Sequence, residues 1–484
     1  MDGTGVDGHG HDYGRDFEQG YGNDFGNDFE HDRPRADLAI HGTILTHGVE
    51  TYGTVVVRDG RIASVASDSN GPGANGRAPI DAVETIQLRN DEILIPGIVD
   101  THVHINEPGR TAWEGFACAT RAAAAGGMTT ILDMPLNSVP PTLTVEALRS
   151  KRSCALHESY VQVGFWGGVD ASNLGRLREL WDAGVFGFKC FLSPSGVDEY
   201  GSLSYEELER AMREIASFGG LLVCHAEDPD DLMRYDGHVD ASYRSFEASR
   251  PAECEANAVR KIVRLVARTG CRTHILHVSS GLSVDVLRRA KAEGLPVSAE
   301  TCPHYLTLDC DHIPDNATAF KCCPPIRDLH EQDALWAGLA DGTLDGVVTD
   351  HSPASADMKA GTLATAWGGV SSLQVGFRAV LTGAMRRGLS LADVVRWMSC
   401  NTARLVGLDD RGDITPVLRA DLAIIRPYER FVVDATALES RNPICACDGM
   451  TLNGVVTRTF VAGAGRALRS AGGESYRSSV NRNP

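Results

Sequence analysis

The sequence contains no long hydrophobic run and no excess of basic residues. No apolar stretch reaches the roughly 18 residues that a bilayer-spanning helix needs, and the first residues lack a hydrophobic signal region. Lysine and arginine total 46 against 64 aspartate and glutamate residues, which gives a formal charge of −18. These features argue against a membrane protein and against binding to nucleic acid or an anionic membrane surface.

The cysteines lack the spacing of a disulfide framework. The 13 cysteines are scattered, odd in number and without a Cys-x-x-Cys pair. Such usage is typical of free thiols in a reducing compartment, so the sequence predicts a cytoplasmic protein.

The two ends of the chain differ in composition from its centre. Residues 1–36 are acidic and rich in glycine, and they repeat Gly-Asn-Asp-Phe at 22–25 and 26–29. Such a segment buries too little apolar surface to offset the entropy lost on ordering, so we expect a disordered tail. A second flexible tail is expected over residues 466–484.

Short strands separated by turns are predicted on both sides of the central region, over residues 37–93 and 406–465. Asp59-Gly60, for example, has the sequence of a hairpin turn. Small isolated sets of strands are marginally stable. We therefore expect the two segments to pair in space as one small β-domain.

Residues 94–405 alternate between apolar strands and amphipathic helices. Eight strands are predicted: Ile93–Asp100, Thr129–Met134, Tyr160–Trp166, Phe186–Phe191, Leu221–His225, Thr273–Val278, Pro296–Glu300 and Gly346–Asp350. This alternation predicts an α/β fold with a (β/α)8 TIM-type barrel, flanked by the small β-domain. A doubly wound open sheet is the alternative, which the number of strands disfavours.

Two histidines mark the junction between the first barrel strand and the loop that follows it. His102 and His104 come directly after an apolar run, and Pro108-Gly109 lies in the loop beyond them. Residues i and i+2 of a strand point to the same side, so both imidazoles can contact one ligand. Converging imidazoles are typical of a metal site, although two histidines that cap a strand can also be purely structural.

Further metal-compatible side chains are predicted on other strands. Lys189, His225, His277 and Asp350 belong to strands four, five, six and eight. In barrels of this type, catalytic residues lie at the carboxyl ends of the strands. Each residue alone can be a hydrogen-bonded structural group, and Asp350 can form a turn. Their occurrence at separate strand ends of one barrel favours a metal site.

Lys189 differs from the others because it is a cation within an apolar strand. Desolvation lowers the pKa of a buried lysine and favours the neutral amine, unless the side chain extends to the barrel mouth. A neutral amine can add CO2 and become an anionic carbamate, N6-carboxylysine. Four histidines, this carbamate and one aspartate suit two divalent cations about 3.5–4 Å apart, with a hydroxide between them.

Several motifs are similar to those of a known family. They are Val99–Thr111, Trp113–Phe116, Met134–Ser138, Pro140–Thr142, Gly187–Lys189, Cys224–Glu227, His277–Ser280, Cys302–Leu306, Lys321–Arg327, Thr349–Pro353 and Ala366–Gly369. On these motifs, the chain resembles the cyclic amidohydrolases of the amidohydrolase superfamily over residues 37–465. Within that group it is most similar to the allantoinase family.

The resemblance implies a binuclear metal-dependent hydrolase. It assigns His102, His104 and Asp350 to the more buried cation. His225 and His277 would bind the second cation, and carbamylated Lys189 would bridge the two. Asp350 would also act as general base for the hydroxide that attacks the cyclic amide. Zinc suits these ligands, with cobalt, manganese and iron as alternatives.

The same resemblance implies a substrate and an assembly. The expected reaction opens the hydantoin ring of allantoin, a small cyclic ureide, to give allantoate. The expected assembly is a homotetramer. Hydantoinase or dihydropyrimidinase and then dihydroorotase are alternative activities. A non-catalytic scaffold homologue is the alternative from another class, but such relatives lack ligands, and here all six positions are filled.

The loops after strands one and two bear on the choice of substrate. Dihydroorotases of the family have arginine, which meets a substrate carboxylate, where this chain has Asn106. A neutral amide suits an uncharged ring better. Asn137 corresponds to a substrate-contacting asparagine of the family, with a turn-stabilising role as the alternative. His304 is expected to lie behind the ligands. Residues 438–447 depart from the family pattern, and we expect them to affect assembly rather than catalysis.

Overall fold

The structure, a computed structural model, describes residues 35–67 and 80–466. The tails predicted over residues 1–36 and 466–484 therefore lie outside the described residues, apart from their inner ends. Ala36 already belongs to the first strand, so that strand begins one residue before the predicted domain boundary.

The described residues form strands β1 to β17. In chain order these are Ala36–Thr46, Val49–Arg58, Arg61–Ser67, Ala82–Gln87, Ile93–Pro96, Ile98–Val103, Met128–Asp133, Gln162–Phe165, Gly167–Gly168, Phe188–Phe191, Leu221–His225, Arg272–Ile275, Val297–Thr301, Gly346–Val347, Leu422–Val432, Thr451–Val461 and Ala464–Arg466.

Helices α1 to α13 connect and follow the central strands. In chain order these are Phe116–Ala125, Val145–Glu158, Leu177–Asp182, Tyr205–Ser217, Pro229–Tyr235, Tyr243–Ala248, Ala252–Thr269, Gly281–Ala292, Pro303–Thr307, Leu329–Ala340, Gly376–Arg386, Leu391–Val395 and Asn401–Leu405. A π-helical turn, Arg396–Cys400, joins α12 to α13, and short 3-10 turns occur at Cys310–His312, Thr318–Phe320 and Ala435–Ala437. Within the described ranges, none of the helices is long and apolar enough to cross a membrane.

Eight parallel strand positions form the central barrel. Strands β6, β7 and β8 pair in parallel, and β9 to β14 pair in parallel in chain order. Only Trp166 separates β8 from β9, and together these strands occupy the third position. A parallel bridge between Val103 and His351 joins β6 to the chain after β14. The (β/α)8 barrel confirms the predicted fold class.

Local sequence and core packing agree in these elements. All six residues of β6 and all six of β7 are buried, as expected for parallel strands that are covered on both faces. Helix α4 buries Leu208, Ala211 and Ile215, which lie along one stripe of the helix. Ser204 begins this helix and forms a capping box with Glu207.

The predicted first barrel strand, Ile93–Asp100, divides in two at Gly97. Its first half, β5, pairs with β1 and β15 in a separate sheet, while β6 enters the barrel. A Cβ atom at Gly97 would lie 2.3 Å from the side chain of Thr129, so only glycine allows the two segments to pass this closely. The separate sheet therefore extends to Pro96, past the domain boundary predicted at residue 93.

This flanking sheet contains eight strands drawn from both sides of the barrel. Its order is β17-β16-β15-β5-β1-β2-β3, and β4 pairs with β1. At the junction between the two contributing segments, Leu94 of β5 lies opposite Ile424 of β15. Its core includes the buried side chains of Leu38, Val57 and Phe460. The pairing confirms the prediction that the two strand-rich segments form one small β-domain.

Candidate metal centre

The six predicted ligands all lie at the carboxyl end of the barrel. His102 is in β6, Lys189 in β10 and His225 ends β11, and the other three follow β6, β12 and β14 within a few residues. Two of them leave their strands in a strained conformation, with φ of 37° at His277 and 43° at Asp350. Left-handed backbone at a residue other than glycine costs on the order of 1–3 kcal/mol and is found preferentially at functional sites.

One set of ligand atoms converges around Asp350. Its Oδ1 lies 3.1 Å from Nε2 of His102 and 3.6 Å from Nε2 of His104. Within the described part of the chain, Nε2 of His102 is buried and has no hydrogen-bond partner. Two imidazole nitrogens and a carboxylate oxygen at this spacing form a set of electron-pair donors that a cation would hold together. The residues therefore fit a divalent metal ion.

A second set is formed by His225 and His277. Nδ1 of His225 lies 3.0 Å from Nε2 of His277, and the ring of His277 lies 5.5 Å from that of His102, centroid to centroid. The other nitrogen of His225, Nε2, donates to Glu227 Oε2 at 2.8 Å. That hydrogen bond leaves the lone pair on Nδ1, which faces His277. The geometry brings this pair beside the first set.

Lys189 lies inside the barrel rather than extending to its mouth. The residue is 1% exposed, and Nζ lies 4.6 Å from the centroid of the Phe191 ring. Among the described residues, Nζ makes no hydrogen bond or ion pair. Burial lowers the pKa of Lys189, and the nearby carboxylates of Asp350 and Glu300 oppose that shift. A buried amine without a partner is costly unless another group engages it.

The charge states of His104, His225, His277 and Asp350 suit metal binding, whereas His102 would have to lose a proton first. Burial opposes the charged form of His102, but Asp350 and Glu300 raise its pKa to about 9, so a cation would displace that proton on binding. Burial holds the pKa values of His104 and His277 well below the usual range and also lowers that of His225. Burial acts in the opposite direction on Asp350, but the adjacent His102 outweighs it and holds the pKa of Asp350 well below its usual value. Neutral imidazole and ionised carboxylate are the forms that bind metal ions.

The two predicted substrate-binding asparagines border this centre. Both adopt left-handed backbone, with φ of 66° at Asn106 and 64° at Asn137. Nδ2 of Asn137 lies 3.4 Å from Nδ1 of His104, and Nδ2 of Asn106 donates to the carbonyl of Pro353 at 3.3 Å. The Oδ1 atom of each is buried and without a hydrogen-bond partner in the described chain. Each therefore offers a free acceptor to a bound molecule.

His304 and Glu300 add polar groups beside the ligands; the sequence predicted His304 behind the ligands but did not single out Glu300. His304 is buried, and both of its ring nitrogens lack a partner among the described residues. One of these nitrogens, Cys302 Sγ and a carboxylate oxygen of Asp350 lie within 4.8 Å of one another. Glu300 Oε1 accepts a hydrogen bond from Nδ1 of His102 at 2.7 Å. A glutamate ending an otherwise apolar strand was the available signal for Glu300.

Residues 438–447, which depart from the family pattern, contact the loop between β6 and α1. Asn442 Nδ2 donates to the carbonyls of Ala112 and Trp113, at 3.2 and 2.8 Å. Arg441 donates to the carbonyl of Glu114. That loop begins at Asn106, so residues 438–447 pack behind one side of the candidate metal centre. The sequence pattern missed the contact because it joins residues more than 300 positions apart.

Comparison with known proteins identifies the family. The amidohydrolase family matches residues 93–465. The chain is 54% identical over 386 residues to an allantoinase of Streptomyces avermitilis, covering 80% of this chain and 87% of the relative. It is 43% identical over 357 residues to a mitochondrial allantoinase of Aquarana catesbeiana, covering 73% and 72%. The solved L-hydantoinase (dihydropyrimidinase) from Arthrobacter aurescens matches with a TM-score of 0.83 at 28% identity, covering 91% and 98%.

These matches confirm the resemblance that the motifs indicated. They extend over the barrel and most of the flanking sheet, so they concern the whole described fold rather than one motif. The metal-compatible geometry at the carboxyl end of the barrel is consistent with the metal dependence of such enzymes. The chain belongs to the amidohydrolase family, as a cyclic-amide hydrolase of its allantoinase branch.

Proposed function

We propose that this protein is an allantoinase, which hydrolyses the hydantoin ring of allantoin to give allantoate. The observation that carries the proposal is the 54% identity to the Streptomyces avermitilis allantoinase, against 28% to the Arthrobacter aurescens hydantoinase. The side chains in the loops after β6 and β7 support the same proposal. Asn106 and Asn137 each present an unpartnered carbonyl oxygen, which can accept an N–H group of an uncharged ureide.

His102, His104 and Asp350 would hold one divalent cation, and His225 and His277 a second. The unpartnered Nε2 of His102 and the close approach of the two histidine nitrogens in the second set support this assignment. When bound, two such cations lower the pKa of a water molecule towards about 7 and polarise the substrate carbonyl. Glu227 keeps the lone pair of His225 on Nδ1, and Glu300 does the same for His102 on Nε2.

Lys189 would bridge the two cations as a carbamate. In this reaction the amine nitrogen forms one bond to the carbon of CO2 and releases one proton. The product places a two-oxygen anion where Nζ otherwise has neither a hydrogen bond nor an ion pair among the described residues. The absence of an ionic partner for a buried lysine supports this proposal.

Asp350 would transfer the proton during hydrolysis. Its ionised carboxylate can accept a proton from the attacking water and return it to the leaving nitrogen. One water is thereby added across the C–N bond, so the ring opens to a carboxylate and a released N–H group. The strained backbone at Asp350 directs this carboxylate into the centre between His102 and His104.

Three further properties are proposed. Zinc is proposed because it binds imidazole and carboxylate ligands well. A homotetramer is proposed from the family resemblance. A cytoplasmic location is proposed because all 13 cysteines are free thiols. Metal analysis of protein purified without chelator, light scattering and cell fractionation test these in turn.

A substrate panel tests the proposed activity. Allantoin, hydantoin, dihydrouracil and dihydroorotate are compared by kcat/KM, and we expect allantoin to exceed the others by about tenfold or more. A preference for dihydroorotate would refute both the activity and the role given to Asn106. In the same preparation, less than about one metal ion per chain, with no gain on adding divalent metal and bicarbonate, would favour a non-catalytic scaffold.

A further inference from the structure

A chain of hydrogen bonds runs from His102 into the interior of the barrel. Nδ1 of His102 donates to Glu300 Oε1 at 2.7 Å. The other oxygen, Oε2, lies 3.0 Å from Nε2 of His274. Nδ1 of His274 in turn lies 2.8 Å from the hydroxyl of Ser298. Four side chains from three strands are thereby linked in one series.

Strand geometry explains why these residues meet. Ser298 and Glu300 are two positions apart on β13, so their side chains point to the same face. In the register of β12 with β13, His274 lies directly beside Ser298. His274 can therefore reach both residues, one with each ring nitrogen. Ser298 also borders a cleft of about 320 Å³ at the amino-terminal ends of these strands.

Each donor in the series has a defined acceptor. Because the carboxylate of Glu300 only accepts, Nε2 of His274 donates to it, and when this ring is neutral its Nδ1 accepts from the serine hydroxyl. The remaining oxygen of Glu300 then accepts the Nδ1 proton of His102. In the neutral form of His102, the lone pair therefore lies on Nε2, the atom 3.1 Å from Oδ1 of Asp350. The side chains of His102, His274 and Glu300 are each at most 2% exposed, so water cannot replace these partners.

We propose that Glu300 and His274 are positioning residues that fix the tautomer and the ring orientation of His102. Glu300 is also a buried anion beside the proposed cations. Both of its carboxylate oxygens accept ring N–H groups, one from His102 and one from His274, as an ionised carboxylate can. The inference rests on the proposed metal centre and adds residues that bind neither metal nor substrate.

Zinc affinity, measured by competition with a chromogenic chelator, tests this proposal without using a substrate. Outer partners of metal-binding histidines typically contribute about 10–100-fold in metal affinity, so we expect a loss of that size in Glu300→Gln and Glu300→Ala. His274→Phe should show a smaller loss. His274→Gln should recover part of it, because its amide nitrogen can take the place of Nε2 as donor to Glu300.

Kinetic constants provide the second readout. Because Glu300 does not contact the substrate, kcat should fall with zinc affinity while KM stays within about threefold of wild type. Asp421→Asn is the matched control. Asp421 is a buried carboxylate with arginine partners near the flanking sheet, so its loss should lower the unfolding midpoint without changing zinc affinity.

The outcomes separate this inference from the proposed function. If wild type loads zinc and the Glu300 and His274→Phe variants load it with equal affinity, the positioning role is refuted and the metal centre stands. If the variants lose zinc affinity but allantoin is not the preferred substrate, the positioning role stands and only the substrate is wrong. Wild-type protein that binds no zinc, cobalt or manganese would overturn both.

Discussion

Within the described residues, the carboxyl end of the barrel and the flanking sheet differ in what they bury: polar atoms without partners in the first, apolar side chains in the second. Around the candidate metal centre, His102, Asn106, Asn137, His277 and His304 all contain buried polar atoms without partners in the described chain. In the flanking sheet, the core consists of apolar side chains such as Val57, Leu422 and Phe460. The sheet is stabilised by burial, whereas the barrel end retains unsatisfied polar groups.

This difference indicates where each region contributes. Apolar burial stabilises the fold by about 25 cal/mol per Å² removed from water. A buried polar atom without a partner instead costs about 1–3 kcal/mol. The unpaired polar atoms therefore make the barrel end less stable than a core in which every polar atom has a partner. Binding of metal and substrate would supply those partners and recover the free energy. Substitutions there should affect catalysis, and substitutions in the sheet should affect stability.

Asp350→Asn should produce the largest effect. The amide is isosteric but cannot accept the proton from water, so kcat should fall by about 10³-fold with the unfolding midpoint little changed. Steady-state kinetics and thermal unfolding are measured together. Asp345→Asn, at the start of the same strand region, is the matched control. A turnover within tenfold of wild type would remove Asp350 from the chemistry.

Lys189→Ala should lose the proposed bridge. We expect activity to fall by at least about 100-fold and to recover in part when small carboxylic acids are added, since they can supply the missing oxygens. Lys151→Ala is the control, because Lys151 is equally buried but pairs with Asp133 at 2.7 Å. Its loss should lower stability and should not respond to carboxylic acids. Wild-type turnover in Lys189→Ala would refute the carbamate.

Phe460→Ala tests the other side of the comparison. Phe460 is fully buried in the core of the flanking sheet, and truncation of a buried phenylalanine typically costs about 3–5 kcal/mol. Urea and thermal unfolding should show this loss, while kcat at a temperature where the protein is folded stays near wild type. Val432→Ala, at an exposed position of β15, should change stability by less than about 0.5 kcal/mol. A large loss of kcat in Phe460→Ala would show that the two regions are coupled.

Asn442→Ala should have the smallest effect and addresses the contact between the regions. The change removes two hydrogen bonds to the loop that begins at Asn106. At about 0.5–1.5 kcal/mol for a typical hydrogen bond, we expect KM to rise a few-fold with kcat nearly unchanged. Asn401→Ala, which removes a hydrogen bond to the carbonyl of Asp345 at the other end of the barrel, is the control. An unchanged KM would mean that the segment does not support the loop.

Much of the fold was predictable because its signals are local. Strand burial and helical periodicity repeat every few residues, so the eight barrel strands were recognisable from the sequence. The division at Gly97 was not, because it depends on the approach of Thr129 from a neighbouring strand. The shortness of β14, which has only two residues, could not be predicted either, because Gly346–Asp350 has the composition of a longer strand.

The sequence by itself determined which residue types stand at the strand ends, and therefore the class of chemistry. It could not determine which atoms meet. The orientation of His102 depends on Glu300, 198 residues away, and the loop beginning at Asn106 is held by Asn442. Such contacts produce no periodic pattern in the sequence, because they form only when the barrel closes and brings distant segments within hydrogen-bond distance. The hydrogen-bond partners of His102 and the contacts behind the loop that begins at Asn106 therefore become visible only in the tertiary structure.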